Sequence, residues 1–125
     1  MIESPPRHRV LVADDAPEVA RRVCELIQEI DDVDIIGPAL DGREALRLFT
    51  EACPSCAVLD IDMPHVNGIE VARAIRGSGQ RCLVIMLTNH DEPAIRAHCL
   101  GAGADHYFRK GADLDPLLEL VRAHA

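Results

Sequence analysis

The sequence has few aromatic residues and no tryptophan. Phe49, Tyr107 and Phe108 make up 2% of the 125 residues, so the core must be built from aliphatic side chains. The longest apolar run, CLVIML at 82–87, has the length of a strand and is far short of a membrane span. The N-terminal MIESPPRHR lacks the apolar segment of a secretory signal. We therefore expect a cytoplasmic protein with no membrane segment.

Positive charge is also scarce. Thirteen lysines and arginines stand against 21 acidic residues, which gives a net charge of −8. Binding to a nucleic-acid backbone requires the opposite balance, so we expect no direct nucleic-acid contact and instead a bound cation or a basic partner. A hydrophobic fraction of 48% argues against disorder, and 125 residues fit one domain with a single core.

The five cysteines are an odd number and do not resemble a secreted disulfide framework. The pair in Cys53-Pro-Ser-Cys56 has the spacing of a redox motif or of half a zinc site. A redox pair usually opens a helix after a strand, whereas this one follows a helical pattern and leads into a strand. No second CxxC completes a zinc site. We interpret these cysteines as reduced structural thiols.

Hydrophobic periodicity predicts five strands, each followed by a helix. The strands are predicted at 9–13, 33–40, 56–60, 82–88 and 105–110, and two of the helices at 67–77 and 92–103. Pro38 cannot donate to a strand ladder and favours an edge position for the second strand. Strict alternation predicts a parallel sheet with helices on both faces, and sites in such sheets lie beyond the carboxyl ends of the strands.

Chemically active side chains follow these predicted strands. Asp14 and Asp15 come after the first strand, Asp60 ends the third, Thr88 the fourth and Lys110 the fifth. Three neighbouring carboxylates repel each other unless a cation neutralises them, and carboxylate oxygens suit Mg²⁺. A hydroxyl and an ammonium are donors that hold phosphoryl oxygens. The combination predicts phosphoryl chemistry at this edge of the sheet.

Lys110 is the only lysine among the thirteen basic residues. An ammonium is a compact point charge, whereas the guanidinium of the twelve arginines is a wide planar fork. A single lysine at a strand end beside acids therefore favours a role in the site over a solvated surface position.

The motifs VADDAP, VLDIDMPHVNG, MLT and GADHYFRK, in this order, resemble the receiver domain of bacterial two-component response regulators over residues 8–123. The resemblance implies a flavodoxin-like (βα)₅ three-layer α/β sandwich, whose five-stranded parallel sheet has the order 2-1-3-4-5. It predicts a single domain over 1–125 with no visible output domain. The chain is either a stand-alone receiver or one excised from a longer regulator.

The resemblance also assigns roles to residues. Asp60 is the phosphoacceptor, and Thr88 and Lys110 bind the phosphoryl oxygens. Mg²⁺, with Mn²⁺ as an alternative, is held by Asp14, Asp15, Asp60 and the backbone carbonyl of Asp62. Thr88 and Tyr107 form the switch, and the motif from Met63-Pro64 to Gly68 shapes the loop beside the acceptor. Asp62, Asn89 and His90 are predicted to tune the rates.

The implied function is phosphorelay signalling. Asp60 takes a phosphoryl group from a histidine kinase or a histidine phosphotransfer protein. This shifts a pre-existing equilibrium at the face formed by the fourth helix, fifth strand and fifth helix, where an unknown output protein binds. Such a receiver is not an enzyme beyond its own phosphorylation and autodephosphorylation, and it is a monomer or a phosphorylation-linked dimer.

Two positions depart from the family pattern. Asn89 replaces the usual small residue after Thr88, and we expect it to screen the phosphoryl group from water. Gly111 follows Lys110 where the family commonly has proline in a cis peptide, so the geometry of that loop is open. His65 and His90 flank the predicted site; the loop position of His65 favours a solvated side chain.

Two other classes of protein share part of this pattern. An aspartate-nucleophile phosphatase of the haloacid-dehalogenase kind also uses DxD, a hydroxyl residue, a lysine and an acid pair. In those enzymes the DxD motif ends the first strand and the acid pair comes last. Here the acid pair Asp14-Asp15 precedes the DxD motif along the chain, and the chain is too short to include a cap domain. A flavodoxin-like nucleotide-binding module needs a neutral phosphate loop after the first strand, and DDAP would repel a phosphate.

Overall fold

The computed structural model describes residues 8–124. The first seven residues and Ala125, which belong to the predicted domain 1–125, lie outside the described range. Five strands and five helices alternate along the chain: β1 His8–Ala13, α1 Pro17–Gln28, β2 Val33–Ala39, α2 Gly42–Ala52, β3 Cys56–Leu59, α3 Gly68–Gly77, β4 Leu83–Thr88, α4 Pro93–Gly101, β5 His106–Arg109 and α5 Asp115–His124. None of these helices is long and apolar enough to cross a membrane.

All five strands are parallel and form one sheet with the order β2-β1-β3-β4-β5. This confirms the predicted flavodoxin-like α/β fold and its strand order. β2, which contains Pro38, is an edge strand, as the missing N–H donor predicts. The apolar strand β4 lies inside the sheet between β3 and β5, and its residues from Val84 onward are buried.

The core has two parts, one on each face of the sheet. Side chains alternate along a strand, so in β1 Leu11 contributes to one part and Val10 to the other. Helices α2, α3 and α4 cover the first part, and α1 and α5 cover the second. Both parts are aliphatic; shortening a fully buried side chain such as Leu11 to alanine would cost about 2–5 kcal/mol.

The neighbouring aromatic residues of β5 also separate between the two faces. Tyr107 packs on the side of α4 and Phe108 on the side of α5, as the alternation predicts. Both are half-buried because β5 lies at the edge of the sheet.

Helix ends follow local sequence signals. Asp41 Oδ1 accepts from Glu44 N at 2.8 Å at the start of α2, and Asn67 Oδ1 accepts from Glu70 N at 2.9 Å at the start of α3. Helices α1 and α4 begin at prolines. α4 ends at Gly101, earlier than the predicted residue 103, because the chain turns at Gly103, which has φ of 117°.

The loop after β3 depends on a glycine. Gly68 N donates to Ile61 O at 2.9 Å, which folds the loop back onto the end of β3. A Cβ atom at Gly68 would lie 1.9 Å from the carbonyl oxygen of Asp60, so only glycine fits. The predicted loop motif from Met63 to Gly68 therefore has a steric basis, and it fixes the backbone that carries Asp60.

Candidate functional site

Four polar side chains lie at the carboxyl ends of three interior strands and in the loop after the edge strand β5. We call Asp14, Asp60, Thr88 and Lys110 the floor of the site. Asp14, Asp60 and Thr88 are 4%, 3% and 0% exposed, and they are the buried polar residues of the described chain. Each directly follows or ends a strand that the aliphatic core holds in place. The predicted convergence of these residues is therefore present.

Lys110 connects two of the floor carboxylates. Its Nζ lies 2.7 Å from Asp14 Oδ2 and 3.0 Å from Asp60 Oδ2, and its side chain is 11% exposed. Its backbone N–H donates to Thr88 O at 2.8 Å, which holds the lysine beside the end of β4. The next residue, Gly111, has φ of 84°. Proline cannot adopt this conformation, so the loop after Lys110 is built around glycine.

Burial and charge set the protonation of the floor. Burial raises the pKa of Asp14, although hydrogen bonds from Lys110 and from the backbone of Ala16 oppose the shift, and the charge of Asp60 adds to it. Burial alone would lower the pKa of Lys110, but its bonds to Asp14 and Asp60 outweigh this, so its pKa is raised. The lysine is therefore cationic at neutral pH and partly compensates the two buried acids.

Asp15 extends the floor towards solvent. One carboxylate oxygen each from Asp14, Asp15 and Asp60 lie within 4.8 Å of one another. Three carboxylates and one ammonium leave a formal charge of −2 when all are ionised. The all-oxygen set and this residual charge fit a hard divalent cation such as Mg²⁺. The Asp62 carbonyl lies on the same loop, two residues after Asp60.

We call Asp62, Asn89 and His90, which lie in the loops after β3 and β4, the rim of the site. His90 Nε2 is 2.8 Å from Asp62 Oδ2, and its Nδ1 is 3.6 Å from Glu92 Oε2. The Asp62 side chain is 66% exposed and that of His90 is 31% exposed. The side chain of Asp62 therefore points to the β4–α4 loop and bridges the two loops that border the site. Asn89 is exposed, as is His65, which has φ of 70°.

The peptide groups of His90 connect Thr88 with Tyr107. Thr88 Oγ1 accepts a long hydrogen bond of 3.4 Å from His90 N, and the Tyr107 hydroxyl donates to His90 O at 2.5 Å. Arg96 of α4 lies over the Tyr107 ring, 5.9 Å from its centroid. The Asp62–His90 bridge and the Arg96–Tyr107 contact were not predicted, because neither pair has a recurrent sequence spacing.

The cysteine pair lies away from this site, at the other end of β3. Cys53 is the exposed residue after α2 and has φ of 48°, whereas Cys56 is buried in β3. Burial raises the pKa of the Cys56 thiol, which opposes formation of a reactive thiolate. All five cysteines, which fall within residues 8–124, are free thiols.

Comparison with known proteins identifies the class. Residues 10–122 match the response regulator receiver domain family, and the chain belongs to this family. Receiver domains are signalling modules of two-component systems, which agrees with the fold and with the buried acids at the strand ends.

The relatives include a protein-glutamate methylesterase/protein-glutamine glutaminase of a Nocardioides species, 37% identical over 111 residues that cover 87% of this chain and 30% of that protein. The signal receiver domain of NarL from Mycobacterium tuberculosis has a similar structure, with a TM-score of 0.85, 32% identity and coverage of 94% and 98% of the two chains. A chain in a CheX–CheY–BeF3–Mg²⁺ complex from Borrelia burgdorferi also has a similar structure, with a TM-score of 0.82, 26% identity and coverage of 92% of this chain and 87% of that chain.

The chain spans only part of its curated relatives. It covers 30% of the Nocardioides protein and 53% of the response regulator GacA of Pseudomonas viridiflava. The shared part is the receiver domain, so the activities of those whole proteins do not follow from the similarity.

Proposed function

We propose that this chain accepts a phosphoryl group on Asp60 from a phosphohistidine donor in the presence of Mg²⁺ and thereby controls a partner protein. The observation that carries the proposal is the position of Asp60. Its carboxylate is buried at the end of β3, bonded to Lys110 and grouped with Asp14 and Asp15. A buried nucleophile with a fixed cation beside it is suited to receive an anionic group.

The transfer forms a bond between an Asp60 oxygen and phosphorus while the bond from phosphorus to the donor imidazole breaks. Lys110, already directed at Asp60 Oδ2, offsets the charge of the transferred group. The Thr88 hydroxyl only accepts in its long bond from His90 N, so its hydrogen remains to be donated when the side chain turns to a phosphoryl oxygen.

The residues that would hold Mg²⁺ are Asp14, Asp15, Asp60 and the carbonyl of Asp62. The residual charge of the carboxylate cluster supports this assignment, and Mn²⁺ is an alternative with the same preference for oxygen. A bound divalent cation supplies positive charge that neutralises the transferring group. The Borrelia complex, which contains BeF3 and Mg²⁺ on a structurally similar chain, is consistent with this assignment.

The switch in this proposal is Thr88 with Tyr107. When Thr88 turns to a phosphoryl oxygen, its bond to His90 N is lost, and the peptide that accepts from Tyr107 is free to move. The change reaches the surface formed by α4, β5 and α5, where we place the output partner. The histidine kinase or phosphotransfer protein would supply the phosphoryl group in the cytoplasm. The acid-rich composition supports protein rather than nucleic-acid partners.

We assign the rim a separate role, which is to tune the rates of phosphorylation and autodephosphorylation. Asp62 and His90 bridge the two loops at the entrance, and Asn89 lies exposed beside Thr88. In this proposal these side chains limit access of water and small phosphodonors and do not contribute the nucleophile.

Intact-mass analysis after incubation with acetyl phosphate and Mg²⁺ tests the proposal. We expect the wild-type chain to gain one phosphoryl group, and Asp60→Asn to gain none because an amide is not a nucleophile. Asp62→Asn is the matched control and should still be phosphorylated. Phosphorylation of Asp60→Asn at the wild-type level, or none of the wild type, would exclude Asp60 as acceptor. Absence of p-nitrophenyl phosphate turnover separates a receiver from a phosphatase.

A further inference from the structure

A cavity of about 450 Å³ lies between helices α1 and α5, next to the floor of the site. Both helices contribute apolar side chains to its walls, and one residue of β4 also lines it. These apolar residues are Val19, Val23, Leu26, Leu87, Leu114 and Leu118. Lys110 lines the cavity as well and is bonded to Asp60, so the cavity and the floor share one residue. We call this space the α1–α5 cavity.

The α1–α5 cavity has the size and the lining of a small-molecule site. Such sites have volumes of about 300–1,000 Å³ and apolar walls with a few polar groups. The two large hydrophobic side chains that are exposed in the described chain, Leu40 and Leu100, do not line this cavity. The apolar surface here is therefore concave, which suits a compact ligand better than a flat protein interface that buries about 800 Å² on each partner.

The loop between β5 and α5 leaves the entrance open. Gly111 has φ of 84°, and no described atom beyond its chain neighbours lies within 4 Å of the position that a Cβ would take. Ala112 is exposed and also lines the cavity. A large side chain at position 112 should therefore narrow the entrance without disturbing the core.

Four charged residues line the α1–α5 cavity, namely Arg22, Lys110, Asp113 and Asp115. The ammonium of Lys110 is already paired with acids of the floor. Asp113 Oδ1 accepts from Asp115 N at 3.0 Å, which leaves the charges of both carboxylates uncompensated. Arg22 is exposed and makes no ion pair within residues 8–124. The lining therefore offers a ligand two acids and one guanidinium.

The charges around the lining make the region more negative. On the same two helices, Arg21 is paired with Glu25 and Arg122 with Glu119, so these charges cancel. Glu18, next to Val19, is exposed and adds one negative charge. Together with the lining it leaves a formal charge of −2, and the floor adds a further −2 when no metal is bound. The positive end of α5 offsets only about half a charge.

We infer that the α1–α5 cavity binds a small organic cation. Its apolar body packs against the aliphatic walls, where it is removed from water, and its ammonium group lies at the entrance near Asp113 and Asp115. A cation is favoured over an anion because the surrounding charge is negative and Arg22 is the one unpaired positive group of the lining. Binding at this site requires no phosphoryl group on Asp60.

Three probes with one apolar body test the inference. Phenylbutylamine, phenylbutanol and phenylbutyrate are titrated into the full ¹⁵N-labelled chain, without phosphodonor or divalent metal, and amide shifts in NMR spectra give the affinity and the place of binding. We expect the amine to bind with a Kd near or below about 1 mM and to shift the amides of Gly111, Leu114 and Leu118. The alcohol should bind roughly fivefold more weakly, and the carboxylate more weakly still.

Variants separate the charge of the site from its shape. Asp115→Asn should weaken the amine roughly threefold and leave the alcohol unchanged. Glu70→Gln is the matched control, because Glu70 is also an exposed acid in the first turn of a helix; it should change the affinity for the amine less than about 1.5-fold. Ala112→Trp should weaken the amine and the alcohol alike, by roughly tenfold, because it obstructs the entrance.

Equal affinity for the three probes, no saturable shifts with the amine at about 10 mM, or shifts that lie away from the cavity would each overturn the inference. Equal effects of Asp115→Asn and Glu70→Gln would do the same. Shifts of the cavity amides that depend on protein concentration without any probe would overturn it in favour of a second copy. The probe comparison uses the wild-type chain, so it decides the question even where Ala112→Trp does not fold.

Discussion

The floor and the rim of the site contain similar side chains in different environments. Asp60 and Asp62 are separated by one residue, yet the side chain of Asp60 is 4% exposed and that of Asp62 is 66% exposed. Asp60 is bonded to a buried ammonium, whereas Asp62 pairs with a histidine at the protein surface. The sequence Asp-Ile-Asp therefore contains one carboxylate in a low-dielectric site and one in water.

The difference has an energetic consequence. Charges in water interact by about 1 kcal/mol or less, whereas charges removed from water interact strongly and are costly when unpaired. A change in the floor should therefore decide whether the reaction occurs, and a change in the rim should alter only its rate.

Removing the floor ammonium should have the largest effect. Lys110→Ala leaves Asp14 and Asp60 buried without their shared cation, so we expect phosphorylation by acetyl phosphate to slow by about 10²–10³-fold. Intact-mass time courses measure this. Lys110→Arg keeps the charge but brings a wider planar group, and should recover only part of the rate. A Lys110→Ala rate within threefold of wild type would contradict the role given to the floor.

Divalent metal should stabilise the fold through the floor. Because burial raises the pKa of Asp14, the native state binds this proton more tightly than the unfolded state does, and stability falls as pH rises through the raised pKa. Mg²⁺ needs the ionised form and relieves the repulsion. At tenfold excess over Kd it should add about 1.4 kcal/mol, or roughly 5 °C in Tm.

Thermal melts with and without Mg²⁺ at pH 7.5 and pH 5 measure this effect. The shift should be larger at pH 7.5, because protonation competes with the metal in acid. Asp14→Asn should lose most of the shift, and Asp41→Asn, which changes a helix cap outside the floor, should keep it. An unchanged Tm of the wild type at millimolar Mg²⁺ would remove the support for a metal at these acids.

How far the sequence predicts this molecule also differs between floor and rim. The parallel sheet and the floor follow from strand–helix alternation, because parallel strands bring their carboxyl ends to one edge whatever the surface side chains do. The strand order was implied by the family resemblance. Asp14, Asp60, Thr88 and Lys110 were therefore predicted to meet, and they do. Their chemical roles remain predictions.

The contacts of the rim and the contact of Arg96 with Tyr107 could not be derived in this way. The Asp62–His90 bridge joins side chains 28 residues apart, and the Arg96–Tyr107 contact joins two different elements. Both depend on rotamers and loop conformations that hydrophobic periodicity does not encode. The early end of α4 has a similar cause, because Gly103 turns the chain where Arg76 of α3 donates to its carbonyl oxygen at 2.6 Å.

Opening the rim bridge should have a moderate effect on rate and little effect on stability. His90→Ala removes a bond between partly exposed groups, worth about 0.2–1 kcal/mol, so Tm should change by only a few degrees. Phosphorylation by acetyl phosphate and loss of the phosphoryl group should both become several-fold faster, because the entrance is wider.

A double-mutant cycle provides the control. If the bridge is responsible, Asp62→Ala should have the same effect as His90→Ala, and the double variant should add nothing further. Additive effects would instead indicate that each side chain acts alone.

The smallest effect is expected at Asn89, whose exposed side chain follows Thr88 directly. We expect its amide to screen the phosphoryl group from water, so Asn89→Ala should accelerate autodephosphorylation about two- to fivefold, a barrier change of less than about 1 kcal/mol. Loss of radioactive phosphate from the purified phosphoprotein measures the rate, with Arg73→Ala as a surface control. Because the substitution leaves the nucleophile Asp60 unchanged, the extent of phosphorylation at saturating donor should stay unchanged. Equal rates for Asn89→Ala and wild type would show that water reaches Asp60 by another route and would restrict the rim to the Asp62–His90 bridge.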